Sequence, residues 1–144
     1  MLKRSAPSLA IGYAALKTVL ANRPRRLWLS VDDLHAGWVS TRNLGFVKNP
    51  HFAGSLHYDS PHEARSGTFH VHHIGAVSRF ELIRTLARLS RGRFRGGAGA
   101  RSWVAQEATV YADDGTLAVE FDGEVVNARR ASFSILPQRV SVCS

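Results

Sequence analysis

A chain of 144 residues with 44% hydrophobic content is one domain's worth, able to bury a core and too apolar for wholesale disorder. Nineteen Lys and Arg against eleven Asp and Glu leave a formal charge of +8, which favours an anionic partner: nucleic acid, acidic lipid headgroups or a nucleotide. The single cysteine, Cys143, excludes an intrachain disulfide framework and fits a reducing compartment, and no run reaches the ~18 apolar residues of a membrane span.

In chain order, Ser8 to Ala21 places Leu9, Tyr13, Leu16, Val19 and Leu20 near helical spacing, and Pro24 closes the segment. Lys3-Arg4 before this apolar run loosely resemble a signal peptide. Lys17 interrupts the run and no small-residue cleavage site follows, so a soluble, cytoplasmic protein is expected. Residues 1–26 read as a helical lead-in. Leu27 to Val31 alternates as a strand with Trp28 on its other face, and Asp32-Asp33 makes a turn. Short strands are expected at Gly37 to Thr41, Gly45 to Lys48, Leu56 to Asp59 and Thr68 to Ile74. Asn49-Pro50, Pro61 and Ser66-Gly67 supply the turns between them. Trp28, Trp38 and Trp103 are expected in the core or on sheet faces.

One helix interrupts the strands. Ser78-Arg79-Phe80-Glu81 fits a capping box, in which serine and glutamate side chains satisfy backbone donors reciprocally. Phe80, Ile83, Leu86, Ala87 and Leu89 form its expected apolar stripe, and Gly92 is a natural stop. Strands resume at Ser102 to Ala112, Leu117 to Phe121, Val125 to Val126, Ala131 to Leu136 and Arg139 to Val142. The pattern predicts a mainly β protein: an antiparallel β-sandwich with one long internal helix and an N-terminal helix, α+β overall, in a single domain over 1–144.

Asp122-Gly123-Glu124 joins two apolar alternating segments, and Asp-Gly in that setting is a strong hairpin signal. Either the triplet is a plain surface turn, or it holds two acids on a rigid corner facing a cleft. Histidines cluster at His51, His57, His62, His70, His72 and His73. His70 and His72 share a strand face, but neither HExxH nor Cys-His spacing is present, so no metal is expected. Arg84, Arg88, Arg91 and Arg95 form a basic stripe suited to phosphate groups of a membrane surface or of RNA, or to plain solvation. Gly96-Gly97-Ala98-Gly99 lacks the strand-to-helix setting of a phosphate loop, and Asp114-Gly115-Thr116 reads as a hairpin turn.

The order of these segments resembles the C-terminal half of the diacylglycerol kinase and sphingosine kinase superfamily of lipid kinases. The resemblance is carried by Asn49-Pro50-His51-Phe52-Ala53-Gly54, Tyr58-Asp59-Ser60-Pro61, Ser66-Gly67-Thr68-Phe69, Leu89-Ser90-Arg91-Gly92, Asp122-Gly123-Glu124 and Phe133-Ser134-Ile135-Leu136-Pro137, and spans nearly the whole chain. It implies phosphoryl transfer from ATP to a diacylglycerol-like or sphingoid-like hydroxyl at a cleft between two domains. It further implies Asp122 as general base, Glu124 as its nucleotide- or magnesium-side neighbour and Gly123 as the turn that presents both. His51, Phe52 and Gly54 would lie on the lipid side. The family's ATP-binding domain, with its GGDGT loop, precedes this region and has no counterpart within these residues. ATP and Mg²⁺ would therefore bind only through a separate N-terminal domain or chain, and this half would be inactive without it. Where relatives hold a structural magnesium, Glu63-Ala64-Arg65-Ser66-Gly67 puts a serine and an arginine, which argues against a metal. Expected partners are a lipid substrate, a membrane surface met peripherally through the arginine stripe, and an ATP-binding half; an apolar face left uncovered would favour self-association. A non-catalytic sandwich binding lipid or anionic membrane is the alternative, and an RNA-binding module a weaker one.

Overall fold

The computed structural model describes residues 23–52, 56–61, 67–113, 115–121 and 123–136. The expected N-terminal helix and the expected strand at Arg139 to Val142 lie outside the described residues. In chain order the elements are β1 (Arg25–Val31), β2 (His35–Val47), β3 (His51–Phe52), β4 (Leu56–His57), β5 (Phe69–Gly75), α1 (Arg79–Leu89), β6 (Ala100–Ala105), β7 (Glu107–Ala112), β8 (Leu117–Phe121), β9 (Glu124–Ala128) and β10 (Arg130–Ser134). Every strand pairing is antiparallel.

Six strands form one sheet in the order β10-β7-β1-β2-β5-β6, and β3-β4 and β8-β9 are separate hairpins. In that order β6 and β7 stand four positions apart, about 19 Å in a flat sheet. Yet Gln106 alone joins them, and two residue steps reach only about 7 Å. The sheet must therefore curl until β6 comes round to β7, giving two layers around a shared interior.

β2 is the corner. Its first half pairs with β1 and its second with β5, and the register slips between Thr41 and Asn43. That bulge inserts one residue, so the inward positions change parity: Val39 faces the core before it, Leu44 and Phe46 after it. The buried Thr41 hydroxyl donates to the Ile74 carbonyl at 3.0 Å, keeping the disrupted ladder satisfied. The two short strands expected at Gly37 to Thr41 and Gly45 to Lys48 are thus one thirteen-residue strand. The single strand expected at Ser102 to Ala112 is instead two. Asp32 explains that break: its carboxylate accepts the Gln106 and Glu107 amides at 2.9 and 2.7 Å and pins the bend.

The interior is apolar. Leu27, Leu29 and Val31 from β1 meet Ala108, Val110 and Ala112 from β7, with Phe69 and Val71 from β5. Leu117 of β8 is buried against this cluster. A second cluster lies on the outer face of β5, where Tyr58, Ile74 and Phe94 meet Leu82 and Leu89 of α1. Because β5 is covered on both sides, all seven of its residues are buried.

The serine half of the expected capping box is present: Ser78 caps the helix, its Oγ accepting the Glu81 amide at 3.2 Å, while the Glu81 carboxylate lies 3.5 Å from the Arg84 guanidinium. The buried face matches the expected one only in part: Leu86 and Leu89 pack into the second cluster as expected, while the rest of the stripe does not. Leu82, Thr85 and Leu89 point inward, whereas Phe80 is 72% and Ile83 40% exposed. The sequence carries apolar residues on both sides of α1. The side that matches Ile74, Tyr58 and Phe94 is the one that packs.

Gly92 ends α1 with φ of +60°, and a Cβ there would run into the His57 ring. Gly92→Ala is expected to lower unfolding free energy by about 1–3 kcal/mol, the left-handed penalty plus the displaced imidazole. Urea denaturation checks this; adding His57→Ala should recover the steric part and leave the backbone part.

Candidate functional site

The acidic corner sits on the β8–β9 hairpin. Leu117↔Ala128 through Phe121↔Glu124 set its register, leaving a two-residue loop. Gly123 has φ of +82°, the backbone that an Asp-Gly loop requires and that a β-carbon would strain. Asp122 itself lies outside the described residues. Glu124 is exposed, and Phe121 and Val125 are 54% and 63% exposed beside it. At its base the hairpin is anchored by Leu117 and Val119 in the first core. It is thus an arm fixed at one end, with Glu124 and the apolar Phe121 and Val125 open to solvent beside its turn.

Of the segment expected on the lipid side, His51 is exposed on β3 and stacks on His57 at 5.2 Å. Phe52 instead stacks on Tyr58 at 4.8 Å and packs into the second core. Gly54 lies outside the described residues.

Sequence reading did not anticipate the buried polar-aromatic cluster around His72. The Tyr58 ring lies on the His72 ring at 3.8 Å, and Phe94, fully buried, meets both edge-on at 5.0 and 5.2 Å. His72 Nδ1 is 2.8 Å from Ser102 Oγ and Nε2 is 3.4 Å from Ser60 Oγ. Burial pushes the Tyr58 hydroxyl up to about 12. Burial, helped by the charges of His70 and Arg95 and opposed by Asp59, pushes His72 down to about 4. Among the described residues no three His, Cys, Asp or Glu are grouped to hold a metal. His72, engaged by two serines, is a structural imidazole.

That depression has a sign. A histidine held at about 4 when folded and 6.5 when unfolded makes the unfolded chain bind more protons between those values, so stability rises with pH across the window. The contribution is fully present above pH ~6.5 and is lost as pH falls toward ~4, about 3 kcal/mol in all. Buried His73, also lowered by burial, adds in the same direction. Denaturant midpoints measured through this range should fall on acidification, and His72→Asn should flatten the slope.

The arginine stripe is partly engaged with the protein itself. Arg84 pairs with Glu81 at 3.5 Å. Arg91 donates to the Ala87 carbonyl at 3.1 Å, a favourable position at a helix C-terminus. Asp59 accepts the Arg95 amide at 2.9 Å and lies 3.9 Å from its guanidinium. Arg95, His70 and Ser102 line a cavity of about 340 Å³ beside edge strand β6. The glycine-rich stretch after α1 leads into a strand, not a helix. That stretch therefore does not form the loop-to-helix cradle of a nucleotide-phosphate site.

A family model described as the YegS C-terminal NAD kinase beta sandwich-like domain matches residues 2–144. The chain belongs to that family. Among solved structures, a candidate diacylglycerol kinase from Bacillus anthracis str. Sterne superposes with a TM-score of 0.64 at 11% identity, over 86% of this chain and 44% of that one. A diacylglycerol kinase from the same organism gives 0.61 at 7% identity, over 85% and 44%. At these identities the likeness is one of fold. The chain spans about 44% of the length of either protein. A comparison with curated proteins finds no match. The mainly β architecture is consistent with the beta sandwich-like domain that the family's description names. Among the described residues no helix is long and apolar enough to cross a membrane.

Proposed function

We propose that this chain is the acceptor-side half of an ATP-dependent lipid kinase, carrying phosphate onto a hydroxyl of a diacylglycerol-like or sphingoid-like lipid. The observation that carries the reading is the β8–β9 arm: in a chain of this family, the Asp-Gly-Glu corner ends an arm whose exposed neighbours Phe121, Val125 and Val126 are apolar. An acid at an apolar, uncovered rim suits an alcohol carried on an apolar molecule. The diacylglycerol kinase names borne by two proteins of like fold favour the same substrate class.

In this reading Asp122 accepts the proton of the lipid hydroxyl as its oxygen bonds to the γ-phosphorus and the bond from that phosphorus to the ADP oxygen breaks. Gly123 sets the corner, and Glu124 faces the nucleotide side. Of its segment, His51, which is exposed, would be the one to meet the lipid. The nucleotide and its Mg²⁺ are presented by an ATP-binding half outside these residues. The test is ATP-dependent phosphorylation of short-chain diacylglycerol and of a sphingoid base, by the chain alone and joined to an ATP-binding half. Product is expected only from the joined form. A joined protein that folds, binds ATP and phosphorylates neither alcohol would overturn the reading.

A further inference from the structure

We propose that the outward face of α1 is a docking surface for an anionic lipid bilayer, with Phe80 and Ile83 inserted among the headgroups and arginines around them on the phosphates. Phe80, Ile83 and Ala87 recur at helical spacing, so they share one side of the helix, opposite Leu82 and Leu89. All three are exposed, Phe80 the most. Arg84 and Arg91 belong to the same side by the same spacing and are exposed as well. From residue 79 to 95 the chain carries six arginines and one acid, Glu81. A soluble helix normally turns its large apolar residues inward. Here two of them stand outward inside a strongly basic field, the arrangement of a helix lying in a membrane interface.

The charge names the partner's sign and the apolar side chains name its kind. Nucleic acid would use the arginines, but Ile83 has no base to stack on. A bilayer uses both: each arginine near an anionic surface contributes electrostatic attraction, and each apolar side chain leaves water. The engagements of Arg84 with Glu81 and Arg91 with Ala87 are at exposed positions, where such pairs are weak and exchangeable. α1 packs on the second cluster and the acidic hairpin on the first, and vesicle binding reads the helix face without any kinase assay.

The experiment is co-sedimentation of the full chain with vesicles of phosphatidylcholine alone, or mixed with phosphatidylglycerol, across a salt series. Three proteins are compared: wild type, Phe80→Ser with Ile83→Ser, and Arg84→Gln with Arg91→Gln. All four positions are exposed, so thermal melts should match wild type and exclude misfolding. Wild type is expected on the anionic vesicles and not on the neutral ones. The apolar variant should bind at least about 10-fold more weakly at every salt concentration. The arginine variant should lose about 10-fold at low salt, with a shallower salt dependence. Absence of wild-type binding, equal binding to neutral vesicles, or an apolar variant that binds as wild type does would overturn the proposal. So would RNA binding that outcompetes the vesicles and is untouched by the Phe80 and Ile83 changes.

Discussion

Phe94→Ala is expected to lower unfolding free energy by about 3–5 kcal/mol, the range for emptying a fully buried phenylalanine site. Phe94 is wholly enclosed, with the Tyr58 and His72 rings against it and the Leu82 and Leu89 face of α1 in the same cluster. Truncation would remove the edge-on contacts with both rings and leave a void between sheet and helix. His72 would then sit beside a cavity large enough to change its solvation. For a chain of this size the loss corresponds to a fall in melting temperature of about 10 °C or more. Phe94→Leu, which keeps most of the volume, should cost about 1–1.5 kcal/mol. A thermal melt of Phe94→Ala within two or three degrees of wild type would mean that the second cluster adds little to the fold.

That cluster was not legible in the sequence. Tyr58, His72, Phe94 and Ser102 come from four separate segments, and no local period marks residues that meet only after the chain has folded. Phe94 sits in an arginine- and glycine-rich loop whose composition suggests solvent. The hairpin at 121–124 was legible because Asp-Gly between alternating residues is a local constraint. So was the start of α1, since Ser78 and Glu81 act over three residues. The side of α1 that packs was not, because Phe80, Ile83 and Ala87 compete with Leu82, Leu86 and Leu89, and only the sheet decides between them. The bulge at Thr41–Asn43 shows the same limit: Asn43 resembles a turn residue, yet the chain continues as one strand because β1 and β5 pair with its two halves in succession. Asp32 was legible as a turn residue, but not as the clamp on Gln106 and Glu107, which lie more than seventy positions away.

Asp122→Asn, in the chain joined to an ATP-binding half, carries the largest expected effect: a fall in kcat of about 10²–10⁴-fold, equal to a barrier increase of about 3–5 kcal/mol. Asparagine keeps the size and the fit of the turn but cannot accept a proton from the lipid hydroxyl. The loss should therefore fall on kcat, with little change in KM for the lipid or in the thermal melt. Glu124→Gln, on the nucleotide side in the same account, should raise KM for ATP more than it lowers kcat.

The most direct measurement is single-turnover transfer of labelled γ-phosphate from ATP to short-chain diacylglycerol, comparing the joined wild-type protein with its Asp122→Asn form at equal fold stability. The account predicts rapid labelling of the lipid by wild type and a rate at least about a hundredfold lower in the variant. Labelling at the same rate in both would contradict it.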